Sequence, residues 1–179
     1  MICGDWEKEH PLTVDLSTGL SVDEYLDRNF DPECELLGGE TRPKPLGRLT
    51  HSMTEKRLTR LLERFYGERR VQFELSVIID GDIVIPDVLV LASDRPATHR
   101  DVFDEPPLLC VEVLSPAQRA AEMMAKCERY RDFGVPFCWV VDPVGRRAWE
   151  YNSGQAAFCE VMEMFSGPCA VGIGDLFAE

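Results

Sequence analysis

The sequence predicts a single mixed α/β domain, and three observations carry that prediction. Two segments, Ile83 to Leu91 and Leu108 to Leu114, are apolar and largely β-branched, are bounded by turn residues, and read as strands buried on both faces. Leu58, Leu61, Leu62 and Phe65 recur at helical spacing, and a second helix opens directly after the Leu108–Leu114 strand. No repeat or linker interrupts the 179 residues, a length that suffices for one domain with a substantial core.

Taken in order, residues 1–20 lack periodicity and read as an N-terminal arm, leaving 21–179 as the domain. Ser21-Val-Asp-Glu24 is a capping-box pattern that starts a short helix through about Asn29. Glu35 to Glu40 reads as a tight hairpin turning at two glycines. Thr41 to Thr50 holds two prolines and a glycine among Arg42, Lys44 and Arg48, and reads as a basic loop. Ser52-Met-Thr-Glu55 repeats the capping pattern and predicts an amphipathic helix ending at Gly67. Val71 to Ile79 and Ile83 to Leu91 read as an antiparallel pair turning at Asp80-Gly81. Ser93 to Pro107, rich in charge and proline, reads as a loop without a core of its own. After the Leu108–Leu114 strand, Ser115-Pro-Ala-Gln118 gives a capping serine, a first-turn proline and a reciprocal glutamine. That helix runs through Lys126 and Tyr130 to a glycine stop at Gly134. Phe137 to Val141 is a further buried strand, and Arg147 to Tyr151 with Phe158 to Phe165 an edge hairpin.

Composition narrows the function classes. No apolar run approaches the ~20 residues of a membrane span, and the N-terminus lacks the pattern of a signal peptide. Seven irregularly spaced cysteines without a CxxC pair read as buried thiols of a cytoplasmic protein and disfavour a zinc site. Nineteen basic against thirty-two acidic residues give a net charge of −13, the wrong sign for tight non-specific binding to phosphate backbones. A nucleic-acid role then requires a local basic face or metal ions.

Two acids stand out against this background. Asp87 and Glu112 each lie in a strand where a carboxylate is costly unless paired, hydrogen-bonded, protonated or bound to metal. If the two strands are neighbours, both carboxylates can project from one sheet end and hold a hard divalent cation. Lys126, on the following helix, can lean back over the strand ends and balance charge on a phosphoryl transition state. Plainer readings stand beside these. Asp87 can simply cap a strand end, and a buried Glu112–Lys126 ion pair would account for both partners. His51 reads as a surface or capping group, and Ser115 as a helix cap, since it lacks the glycines of a nucleophile elbow.

The run Ile85-Pro-Asp-Val-Leu-Val, then Pro107-Leu-Leu-Cys-Val-Glu-Val-Leu-Ser-Pro116, Lys126, Tyr130 and Gly134-Val-Pro-Phe-Cys-Trp-Val-Val-Asp-Pro143, resembles the Uma-two-type restriction endonucleases. These belong to the PD-(D/E)XK nuclease superfamily. Glu35 to Glu40 and His51 match the family's opening, and the likeness covers about residues 21 to 165. The resemblance implies a restriction-endonuclease-like fold, a mixed central sheet flanked by helices, with a magnesium site at one sheet end where manganese can substitute. It implies Asp87 and Glu112 as metal-holding catalytic acids and Lys126 as the catalytic lysine, moved onto the helix because Leu114 occupies its usual strand position. Glu35 matches an early acid that often joins the metal shell, and Glu122 stands where many members carry aspartate.

Two functions follow from these readings. One is a magnesium-dependent endonuclease on DNA, bound weakly and salt-sensitively through Arg42, Lys44, Arg48, His51 and the basic side of the 52–66 helix. The other is a catalytically silent nuclease fold used as a protein-interaction module, for which −13 is a natural charge. Neither involves a membrane, and both allow a homodimer.

Overall fold

The computed structural model describes residues 19–45, 47–94, 98–116, 118, 120–152, 155–163 and 169–177. The expected N-terminal arm lies outside them except for its last two residues, as do Ala117 and Phe165. Ser21 caps α1 (Val22–Leu26) with a complete capping box: its hydroxyl accepts from the Glu24 N–H, and the Glu24 carboxylate accepts from the Ser21 N–H. This helix ends at Leu26, short of Asn29. β1 (Cys34–Leu37) and β2 (Glu40–Pro43) form the expected hairpin, turning at Gly38 and Gly39 with φ of 61° and 79°. Thr41 to Pro43, expected in a loop, instead complete β2.

Helix α2 (Leu49–Tyr66) starts a turn earlier than expected. Its N-cap is Arg48, which supplies no side-chain hydrogen bond, and Ser52 lies inside the first turn with its N–H on the Arg48 carbonyl. The predicted stop at Gly67 is present, with φ of 77°.

The largest departure lies in the central hairpin. The two long strands expected over 71–79 and 83–91 are each broken in the middle. They give β3 (Val71–Phe73), β4 (Val77–Ile79), β5 (Asp82–Val84) and β6 (Val88–Val90). The turn halves β4–β5 pair in one sheet and the base halves β3–β6 in another. Pro86 cannot donate to a ladder, and Glu74 on the opposite arm takes a φ of 49°, so both arms bend at the same level. The bend is tied by the Glu74 N–H donating to the Asp87 carbonyl at 3.2 Å. The segment expected as a coreless loop contains a short hairpin, β7 (Thr98–His99) and β8 (Val102–Phe103), which buries Val102 and Phe103.

The remainder comprises β9 (Leu109–Val113), α3 (Ala120–Phe133), β10 (Phe137–Asp142), β11 (Arg147–Asn152), β12 (Gln155–Cys159), β13 (Val161–Glu163), β14 (Ala170–Gly172) and α4 (Ile173–Leu176). Ahead of α3 the Ser115 N–H donates to Gln118 Oε1 at 2.9 Å, the reciprocal contact the sequence predicts. Gly134, with φ of 104°, ends the helix.

The expected mixed α/β fold is present, and among the described residues its strands form two sheets of six, ordered β2-β1-β5-β4-β8-β7 and β12-β11-β10-β9-β6-β3, beside the small β13-β14 pair. Among the described strands only β9–β10 and β4–β8 run parallel. The second sheet is sandwiched: Leu109, Val111 and Val113 pack with Leu58 and Leu62 of α2, while Cys110 packs with Met123, Cys127 and Tyr130 of α3. Strand alternation therefore turns Glu112 towards α3. The six described cysteines are free thiols, five of them buried. Among the described residues no helix is long and apolar enough to cross a membrane.

Candidate functional site

The break in the central hairpin builds the site. β6 and β9 are antiparallel neighbours with Val88 opposite Val111, and one step further the same register brings Asp87 opposite Glu112. The condition set by the sequence, that the two acid-bearing strands be neighbours, is met. Because Ile85 to Asp87 cross from the first sheet to the second, Glu35 on β1 also reaches this point: its carboxylate accepts from the Ile85 N–H at 2.8 Å.

Asp87 is only 4% exposed. Its Oδ2 accepts from the Val113 N–H at 2.7 Å and lies 3.4 Å from His51 Nε2, while Lys44 Nζ approaches Oδ1 at 3.3 Å. Burial pushes its pKa up, but His51, the charges of Lys44 and Lys126, and the Val113 amide together bring it below the ordinary aspartate value. Asp87 is a carboxylate.

Glu112, 1% exposed, has different company. Lys126 Nζ lies 2.9 Å from one oxygen and 3.0 Å from the other, and the Tyr130 hydroxyl donates to Oε1 at 2.5 Å. Burial pushes Glu112 up to about 7 against the pull of Lys126, with Asp87 and Glu35 adding repulsion. Burial acts to discharge Lys126, but Glu112, Glu35 and Asp87 outweigh it and hold the ammonium above its ordinary pKa. Lys126 also contacts Glu35 at 2.9 Å and donates to the Ile85 carbonyl at 3.3 Å, so three acceptors engage its three donors.

Asp87, Glu112, Lys126 and Glu35 line one cavity of about 480 Å³. Of the residues singled out from the sequence, Asp87, Glu112, Lys126, Glu35, Arg42, Lys44 and His51 meet there, whereas exposed Arg48 is not part of the lining. Two of the expected nucleic-acid contacts face inward. Lys44 is ion-paired with Asp87 and, at 3.7 Å, with Glu74. His51, expected at the surface, is buried between Asp87 and Glu55, whose Oε2 lies 3.3 Å from Nδ1. Burial lowers its pKa, yet the hydrogen-bonding and charge of Asp87 and Glu55 raise it to about 10, so the imidazole is cationic.

Glu55 and Tyr130 were not singled out as site residues. Their signal was helical spacing, His51 to Glu55 and Lys126 to Tyr130 each being four apart and thus on one face. Among the described residues, His51, Glu55 and Asp87 form the one group of three whose donor atoms all lie within 4.8 Å of one another, a spacing that a metal ion can span. Glu112 is outside that group.

A family model described as "Putative restriction endonuclease", Uma2, matches residues 22–168. A crystal structure of "a putative nuclease belonging to DUF820" from Anabaena variabilis ATCC 29413 superposes with a TM-score of 0.77 at 20% identity. The match covers 89% of this chain and 98% of that one, a likeness of fold. No curated protein matches. With the family model spanning most of the chain and a DUF820 protein sharing its architecture, this protein belongs to the Uma2 restriction-endonuclease family.

Proposed function

We propose that this protein is a divalent-metal-dependent endonuclease that hydrolyses phosphodiester bonds of DNA. The observation that carries the reading is the meeting of Asp87 and Glu112, from adjacent strands, with Lys126 and Glu35 in one cavity. The donor set fits a hard cation: carboxylate oxygens predominate, and Asp87 is held ionised. Asp87 and Glu112 would hold the ion. Magnesium or manganese there would polarise the scissile phosphate and lower the pKa of a bound water. Lys126, anchored by Glu35 and the Ile85 carbonyl, would offer its ammonium to the charge that develops on the phosphate. Its donors are already engaged, so substrate must replace one of the present acceptors. Exposed Arg42 and Arg48, with Lys56, Arg60 and Arg64 of α2, would meet the backbone weakly, as −13 dictates.

The same saturation of Lys126, with Lys44 and Arg129 also ion-paired at the cavity, favours a second reading: a silent nuclease fold serving as an interaction module. Cleavage of single-stranded, linear and supercoiled DNA in magnesium or manganese separates the two. The endonuclease reading expects metal-dependent cuts, abolished by a chelator and lowered on the order of 10²-fold or more in Asp87→Asn. A folded protein that binds manganese and cuts no form of DNA belongs to the second reading.

A further inference from the structure

We propose that His51, Glu55 and Asp87 form a second cation site, one that contains nitrogen and prefers manganese, cobalt or zinc to magnesium. It deepens the endonuclease reading, because Asp87 would be shared between this site and the one with Glu112. Three observations support it. The donor atoms of the three residues lie within 4.8 Å of one another. His51 is nine-tenths buried; its Nδ1 lies 3.3 Å from Glu55 Oε2 without a well-formed hydrogen bond, and the Glu55 Oε1 is buried with no partner. The imidazole contacts that do exist, 3.3 Å to Glu55 and 3.4 Å to Asp87, are longer than the 2.7–2.9 Å usual for charge-assisted hydrogen bonds.

Buried polar atoms without partners are rare and costly, so each calls for a physical reason. A cation between the three side chains would take the place of the imidazolium proton and supply the partner that the Glu55 Oε1 lacks. The frame is rigid: His51 and Glu55 lie on one face of α2, and Asp87 is anchored by the Val113 amide. Magnesium takes oxygen ligands almost exclusively and dehydrates reluctantly, whereas the first-row transition ions accept imidazole, increasingly from manganese towards cobalt and zinc. The histidine therefore sets the selectivity.

The test uses manganese(II) at less than one equivalent on the whole protein. Pulsed electron paramagnetic resonance should show ¹⁴N coupling from an imidazole in the wild type and in His99→Gln, and none in His51→Gln. Calorimetry should show manganese affinity falling on the order of tenfold or more in the nearly isosteric Glu55→Gln. The preference for manganese over magnesium should shrink in His51→Gln. Manganese bound without ¹⁴N coupling, or coupling that survives His51→Gln, overturns the site. Glu112→Gln keeps failures apart. If the Asp87–Glu112 reading alone is wrong, that variant changes neither affinity nor cleavage while the ¹⁴N coupling persists. If this inference alone is wrong, Glu112→Gln weakens manganese while Glu55→Gln does not.

Discussion

Asp87 and Glu112 face each other across one register step, yet their surroundings differ in kind. Asp87 lies at a bend between two sheets, and its partners come from a strand end, a helix start and a backbone amide. Its contacts to Lys44 and His51 are 3.3 and 3.4 Å, loose for charged groups. Glu112 lies mid-strand under α3, clasped by Lys126 and Tyr130 at 2.5–3.0 Å. Both carboxylates are almost wholly removed from water, but one is kept ionised and the other pushed towards protonation. The number of partners therefore matters less than their geometry. A loosely held carboxylate can exchange a partner for a metal; a tightly clasped one must first break a buried ion pair.

The largest test of that contrast is Lys126→Met in metal-free buffer. It leaves Glu112 buried without its cation, which should cost roughly 3–5 kcal/mol at pH 8. At pH 5.5 the loss should shrink, because Glu112, already near 7 in the intact site, takes a proton and becomes neutral. Denaturant unfolding at the two pH values checks this; equal losses would mean that Glu112 does not depend on Lys126.

Tyr130→Phe should come next, removing a buried donor to a carboxylate for about 1.5–3 kcal/mol. Because that donor lowers the Glu112 pKa, its loss should also move the Glu112 titration upward, readable by carboxyl NMR. No movement would place the hydroxyl's hydrogen bond elsewhere.

On the Asp87 side the response runs through His51. Its folded pKa of about 10 lies above the ordinary 6.5, so the folded protein holds an extra proton between those values. The associated stability is complete below pH 6.5 and is lost as pH rises through about 10. The slope is at most about 1.4 kcal/mol per pH unit. Metal-free unfolding between pH 7 and 8.5 should show that decline added to the one from unfolded thiols, which ionise at about 8.5, and His51→Gln should remove the histidine share. An unchanged slope would mean that His51 is not held as a cation.

Arg42→Glu should be the mildest change. Arg42 is exposed, so stability should shift by no more than about 0.5 kcal/mol. DNA affinity should nevertheless fall, and its salt dependence flatten, in a titration over several ionic strengths. Unaltered affinity would move the DNA-binding face away from the cavity.

The sequence by itself determined what local chemistry decides. The capping box at Ser21, the Gly38-Gly39 turn, the stops at Gly67 and Gly134 and the Ser115–Gln118 contact are written in residues a few positions apart. So is the oddity of two acids in apolar strands, which points to a site before any fold is known. Only the tertiary structure decided that the central hairpin bends. A proline and a strained glutamate merely permit a bend, and competition between two sheets for the same strands makes it happen. That bend in turn brings Glu35 and Lys44 to the acids and sets His51 and Glu55 against Asp87. Apart from Glu35, which the family likeness already put near the metal, those meetings have no sequence signal of their own, because each joins residues whose separation along the chain is closed only by packing.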